Sequence, residues 1–181
     1  KKQKKEIIFK WYKLTDWKVD LEHLKTLITD KTKVMSVAHI YNTTGQVNNI
    51  KDIKSVLGKD ITLMVDAAQS FGHVKIDLQE MGCDYLVFGT HKAFGPHSLG
   101  FIYIKDIETS QPFIFGGGMN DNYSRENYIR KEGRALFEAG TQDVPGIIAF
   151  ASSLDFINKY GIENIHSNLS RLKWDSNSSL K

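Results

Sequence analysis

The chain has 181 residues, 41% hydrophobic and 25% charged, the make-up of a soluble globular protein with room for one core. A net charge of +3 is too small to argue for a nucleic-acid partner, and no apolar stretch approaches a membrane span or a secretory signal. The single cysteine, Cys83, excludes an internal disulfide and fits a reducing, cytoplasmic setting.

Lys1-Lys2-Gln3-Lys4-Lys5 reads as a solvated basic start, and Ile7 to Leu14 as a first strand. Asp20 is placed to cap a helix whose stripe is Leu21, Leu24, Leu27 and Ile28. Thr32 to Ala38 is a strand, and Asn42 to Asn49 a polar loop around Gly45. Ile50, Ile53, Val56 and Leu57 make a short helix that Gly58 stops. Ile61 to Val65 is a strand, followed by a helical turn ending at Gly82. Tyr85 to Phe88 and Leu99 to Ile104 are strands, with Gly95-Pro96 turning the chain between them. The Gly116-Gly117-Gly118 stretch reads as a long loop with little regular structure. Pro145 marks the first turn of a helix running to Gly161, and Ile162, Ile165, Leu169 and Leu172 supply a last helical stripe. The tail from Trp174 to Lys181 is polar and aperiodic, and is expected to fray. Alternating strands and helices predict an α/β unit with a mostly parallel sheet flanked by helices.

The central strands are short, β-branched and not alternating, as expected of buried parallel strands. Each ends in polar residues: His39-Ile40-Tyr41-Asn42, Asp66-Ala67-Ala68-Gln69 and Gly89-Thr90-His91-Lys92. In an open α/β sheet, ligands lie beyond the carboxyl ends of the strands, so these clusters converge on one crevice. A lysine beside an acid, an amide, a hydroxyl and an imidazole suggests pyridoxal phosphate, which needs a Schiff-base lysine and an acid at its ring nitrogen. Each residue also has a plainer reading. Lys92 is of a type that ordinarily sits solvated on the surface. Asp66 can cap the turn after its strand, Asn42 suits any loop, and Thr90 and His91 can simply be polar residues leaving a strand. Beyond its apolar run Asp66 is expected to lie deep, where its charge needs a positive partner. His39, His73 and His97 lack metal-ligand spacing, and Cys83 reads as a small buried hydrophobe.

Taken together, several segments resemble the class V aminotransferase family, most closely its NifS/SufS-type cysteine desulfurases. They are Val65 to His73, Asp77, Cys83-Asp84, Thr90-His91-Lys92, Gly95-Pro96, Pro112-Phe113, Gly116 to Met119, and Phe137-Glu138-Ala139-Gly140-Thr141. The similarity runs from about Ile7 to Leu172. It implies a fold-type I pyridoxal-phosphate large domain, here residues 1–173 and incomplete at both ends, with 174–181 as tail. By the same resemblance, Lys92 is the Schiff-base and catalytic lysine and Asp66 the ring-nitrogen acid. Gln69 and Asn42 lie near the phenolic oxygen, and Thr90 and His91 on the phosphate side. Thr141 is implied to reach the phosphate of a neighbouring subunit in a homodimer. The implied activity converts L-cysteine to L-alanine with an enzyme-bound persulfide, passes sulfur to an acceptor protein and serves iron–sulfur cluster assembly.

The sequence departs from that pattern in places. The serine-glycine-histidine-lysine of the family is Gly89-Thr90-His91-Lys92, Ser98 replaces a glycine, and Gln142 replaces a proline. The resemblance also implies a ring-stacking histidine upstream and a downstream small domain carrying the sulfur-accepting cysteine and a carboxylate-binding arginine, none of which falls within these 181 residues. A non-catalytic truncated domain serving dimerisation or binding, and a selenocysteine lyase or another class V enzyme, are therefore the competing readings.

Overall fold

A computed structural model describes residues 6–172. The basic start and the tail expected to fray lie outside the described residues. In chain order the elements begin with β1 (Leu14–Thr15), β2 (Lys18–Val19), α1 (Leu21–Leu27), β3 (Val34–Ala38), α2 (Ile50–Leu57) and β4 (Thr62–Asp66). There follow α3 (Leu78–Met81), β5 (Tyr85–Gly89), β6 (Gly100–Ile104), β7 (Asn120–Tyr123), β8 (Tyr128–Arg130), α4 (Val144–Tyr160) and α5 (Ile162–Arg171).

Local chemistry sets the helix boundaries. Asp20 accepts the His23 N–H to open α1, Asn49 accepts the Asp52 N–H to open α2, and Asp77 accepts those of Gln79 and Glu80 to open α3. Gly58 at φ 73° ends α2, in a region closed to most side chains. Asp143 accepts the Gly146 N–H and opens α4, with Pro145 in the first turn.

The main sheet has strand order β3-β4-β5-β6, with the first three parallel and β6 antiparallel at one edge. One face packs on the helices. Met35, Val37, Leu63, Val65 and Leu86 are buried against Leu24 of α1 and Ile50, Ile53 and Leu57 of α2. Each of these α2 side chains contributes about 1.5–3 kcal/mol of transfer free energy. Toward the carboxyl edge the same face becomes aromatic. Phe71 stacks on Phe88 at 3.6 Å, and Phe150 of α4 lies 5.2 Å from Phe101. Among the described residues, no helix is long and apolar enough to cross a membrane, and no cluster of three metal-ligating side chains occurs.

Three expectations are corrected. Ile7 to Leu14 does not form a strand: Ile7, Ile8, Phe9 and Trp11 are each at least 75% exposed, and only Leu14–Thr15 pairs, with Lys18–Val19. A β-prone run makes a strand only beside a neighbour that takes its backbone hydrogen bonds, and none among the described residues lies there. The segment after Gly118 is not featureless, because β7 and β8 form an antiparallel hairpin. The central strands are not buried on both faces: on the second face Val34 is 56% and Ile102 53% exposed, and Met64 and Val87 are half-buried.

Candidate active site

Parallel pairing sets Asp66 of β4 opposite both Ala38 of β3 and Val87 of β5. The loop holding Asn42, the turn Asp66–Gln69 and the turn Thr90–Lys92 therefore all leave the sheet at its carboxyl edge. Lys92 closes a 3₁₀ turn that follows β5 directly, and is half-buried. Its Nζ makes no hydrogen bond or ion pair among the described residues.

Asp66 is exposed rather than buried, a correction to the deep carboxylate that its preceding apolar run suggested. The plainer turn-capping reading is observed: its Oδ1 accepts the Ala68 N–H at 2.8 Å. Its Oδ2 has no hydrogen-bond partner among the described residues. Asp66 borders a shallow, wide-open hollow of about 380 Å³ that is also lined by Ala68, Val87, Gly89, Gly100 and Ile102. Lys92 does not line this hollow but stands beyond Gly89, on the same sheet edge.

Gln69 and Asn42 are brought together, with the Gln69 Nε2 donating to the Asn42 Oδ1 at 2.7 Å. Thr90 is fully buried, and its hydroxyl donates to the Pro96 carbonyl. It braces the turn, and this hydroxyl is committed within the protein. The turn is tight: a Cβ on Gly95 would lie 2.7 Å from Phe150 Cδ2 and 2.8 Å from Thr90 Cβ, so only glycine fits. His91 is exposed, with its ring stacked on His97. Thr141 is exposed in the loop before α4, and no hydrogen bond joins it to the other candidates among the described residues.

These groups fit pyridoxal phosphate at its two reactive ends. An amine without an ion-pair partner meets the need for an aldehyde-binding lysine. A carboxylate oxygen without a protein donor meets the need for an anion at a protonated ring nitrogen. Toward a phosphate, the exposed His91 imidazole makes no hydrogen bond among the described residues, whereas the Thr90 hydroxyl and the N–H groups of Thr90, Ala93 and Gly95 are committed within the protein.

Further residues shape the site. Ser98 donates its hydroxyl to Asp143, tying the turn after Lys92 to the start of α4. That hydroxyl and the Gly146 N–H hold the Asp143 carboxyl below its usual pKa. Asp143 carries a readable signal, an acid two residues before a proline at a helix start. His97 carries none, since its contact depends on how the Gly95-Pro96 turn folds. Cys83 lies away from the crevice, before the amino end of β5, and is 1% exposed; burial pushes its thiol pKa up.

Comparison with known proteins gives one family. The model of the family described as aminotransferase class-V matches residues 1–181. A probable cysteine desulfurase of Synechocystis sp. is 38% identical over 151 residues, covering 82% of this chain and 36% of that protein. A cysteine desulfurase of Cronobacter sakazakii is 34% identical over 155 residues, covering 83% of this chain and 38% of that protein. Among solved structures, the apo cysteine desulfurase of Thermococcus onnurineus NA1 superposes with a TM-score of 0.75 at 29% identity, covering 81% of this chain and 37% of that one. The cysteine desulfurase CsdA of Escherichia coli gives a TM-score of 0.74 at 28% identity, covering 81% and 37%. The chain thus spans a little over a third of the length of these relatives.

Proposed function

This chain belongs to the aminotransferase class-V family, and from that premise we propose that it is the cofactor-binding part of a pyridoxal-phosphate-dependent cysteine desulfurase. The observation that carries the reading is the issue of Asp66 and the Lys92 turn from adjacent parallel strands at one sheet edge, with Lys92 Nζ and Asp66 Oδ2 both uncommitted. The relatives named cysteine desulfurase support the choice of reaction.

Lys92 Nζ would hold the cofactor through its aldehyde and would serve as the base that moves a proton at the substrate α-carbon. Asp66 Oδ2 would keep a proton on the ring nitrogen. Gln69, oriented by Asn42, would offer its second N–H to the phenolic oxygen, and the Asn42 amide nitrogen would add two further donors. His91 would hold the phosphate, while Thr90 keeps that turn in shape. When bound, pyridoxal phosphate supplies an electron sink that stabilises negative charge at the substrate α-carbon. A sulfur-accepting thiol must be one other than Cys83, which is buried before the opposite end of β5.

The proposal extends to a homodimer acting on an amino acid and handing sulfur to an acceptor protein in the cytosol. The exposed Thr141, unlinked to its own candidate site, suits a residue that serves a partner subunit. The solitary thiol of Cys83 supports a reducing setting.

The test supplies the full chain with pyridoxal phosphate, L-cysteine and dithiothreitol as the sulfur-accepting reductant. Alanine and sulfide are expected above the free-cofactor background, and none above it with Lys92→Ala. Equal release by the two proteins overturns the reading.

A further inference from the structure

We propose that His97 is a positioning residue that holds the His91 imidazole in place at the rim of the crevice; its bearing on cofactor binding rests on the reading above. The two rings stack with centroids 5.2 Å apart and planes inclined by 18°. Gly89 also approaches the His91 ring closely. A Cβ there would lie 3.1 Å from both Cε1 and Nδ1 of His91, so the ring packs almost on the bare backbone. Gly89 itself lines the hollow that Asp66 borders. His91 is thus in close contact with the Gly89 backbone as well as stacked on a second imidazole.

Both histidines are exposed, so burial does not order them. What orders His97 is its loop. The Gly95 N–H donates to the Thr90 carbonyl at 3.0 Å, and the Thr90 hydroxyl donates to the Pro96 carbonyl. Ser98, the residue after His97, donates to Asp143, which is itself fixed by accepting the Gly146 N–H at 3.0 Å. On the far side, the Thr90 N–H donates to the Leu99 carbonyl at 3.1 Å. His97 is therefore presented from a braced turn to a ring that would otherwise sample several rotamers. Ordering His91 beforehand removes part of the entropy cost of using it on an anionic ligand.

The experiment uses the full chain with His97→Ala and His97→Phe, the latter keeping an aromatic face. In cofactor-free protein, the His91 ring resonances, assigned with His91→Gln, report the stacking through their ring-current shift. Spectrophotometric titration then gives the pyridoxal phosphate Kd. His97→Ala should erase the ring-current shift and weaken binding about threefold to tenfold, the worth of one aromatic pair. His97→Phe should restore both toward wild type. A His91 signal that His97→Ala leaves unmoved, or a Phe variant no better than the Ala variant, overturns the proposal. Failure of wild-type protein to bind pyridoxal phosphate overturns the cofactor reading instead, and the resonance measurement still decides whether His97 positions His91.

Discussion

Gln69 donates to Asn42 at 2.7 Å, joining two loops that lie 27 residues apart in the chain. The contact gives each amide a fixed orientation at the mouth of the crevice, so the two side chains act as one unit. Asn42→Ala and Gln69→Ala should each weaken pyridoxal phosphate binding severalfold, while the double variant loses less than the product of the two. A coupling of about 0.5–1.5 kcal/mol is expected from a double-mutant cycle on the Kd. Strictly additive losses would show that the contact contributes nothing to the cofactor site.

Asp66 caps its turn, and one substitution separates that contact from the cofactor role proposed for it. Asp66→Asn keeps an oxygen for the Ala68 N–H and removes the charge. Because the residue is exposed, unfolding stability should stay within about 0.5 kcal/mol of wild type. Pyridoxal phosphate affinity should fall at least about tenfold, the effect of removing a charge-assisted contact. A variant that binds the cofactor as well as wild type would leave Asp66 with the turn alone.

Asp84 accepts from Lys54 Nζ and from the Leu63 N–H, both at 2.8 Å, and so fastens α2 to the amino edge of β4 and β5. Burial raises its pKa, but the ammonium and the N–H outweigh that and hold the carboxyl below its usual range. Since the folded value lies below the unfolded value of about 3.9, its contribution is complete above that pH and disappears as pH falls through the folded value. Asp84→Asn should cost about 1–3 kcal/mol in urea unfolding at neutral pH and flatten the acid limb. An unchanged midpoint at pH 7 would contradict this.

His39, 6% exposed at the end of β3, shows the opposite sign. Burial pushes its pKa down, so the unfolded chain takes up a proton at a pH where the folded chain does not. Stability should therefore fall as pH drops through about 6.5, and His39→Gln should remove that slope from unfolding curves recorded between about pH 7.5 and 5.5. A slope that persists in the variant would assign it to another group.

The legible parts of the fold were those written in local chemistry. Asp20, Gly58, Gly82 and Pro145 mark boundaries because capping and left-handed turns depend on a few adjacent residues. The β3, β4 and β5 runs are visible as apolar segments, and their polar ends identify the edge where Asn42, Asp66, Gln69 and Lys92 gather. Depth was not legible: the run before Asp66 suggests burial, but its exposure depends on what lies over the second sheet face. The Ile7–Trp11 run carries β propensity without specifying a partner strand. The Asn120–Tyr123 strand is too polar to show a period. His91 on His97 and Ser98 on Asp143 are products of a folded turn, and the second pair is 45 residues apart.

The most direct measurement is reduction of the cofactor-loaded chain with borohydride, followed by peptide mass mapping. One pyridoxyl group on the peptide containing Lys92 is the predicted result, with no such label in Lys92→Ala. Label spread over surface lysines, or equal labelling of the variant, would contradict the account.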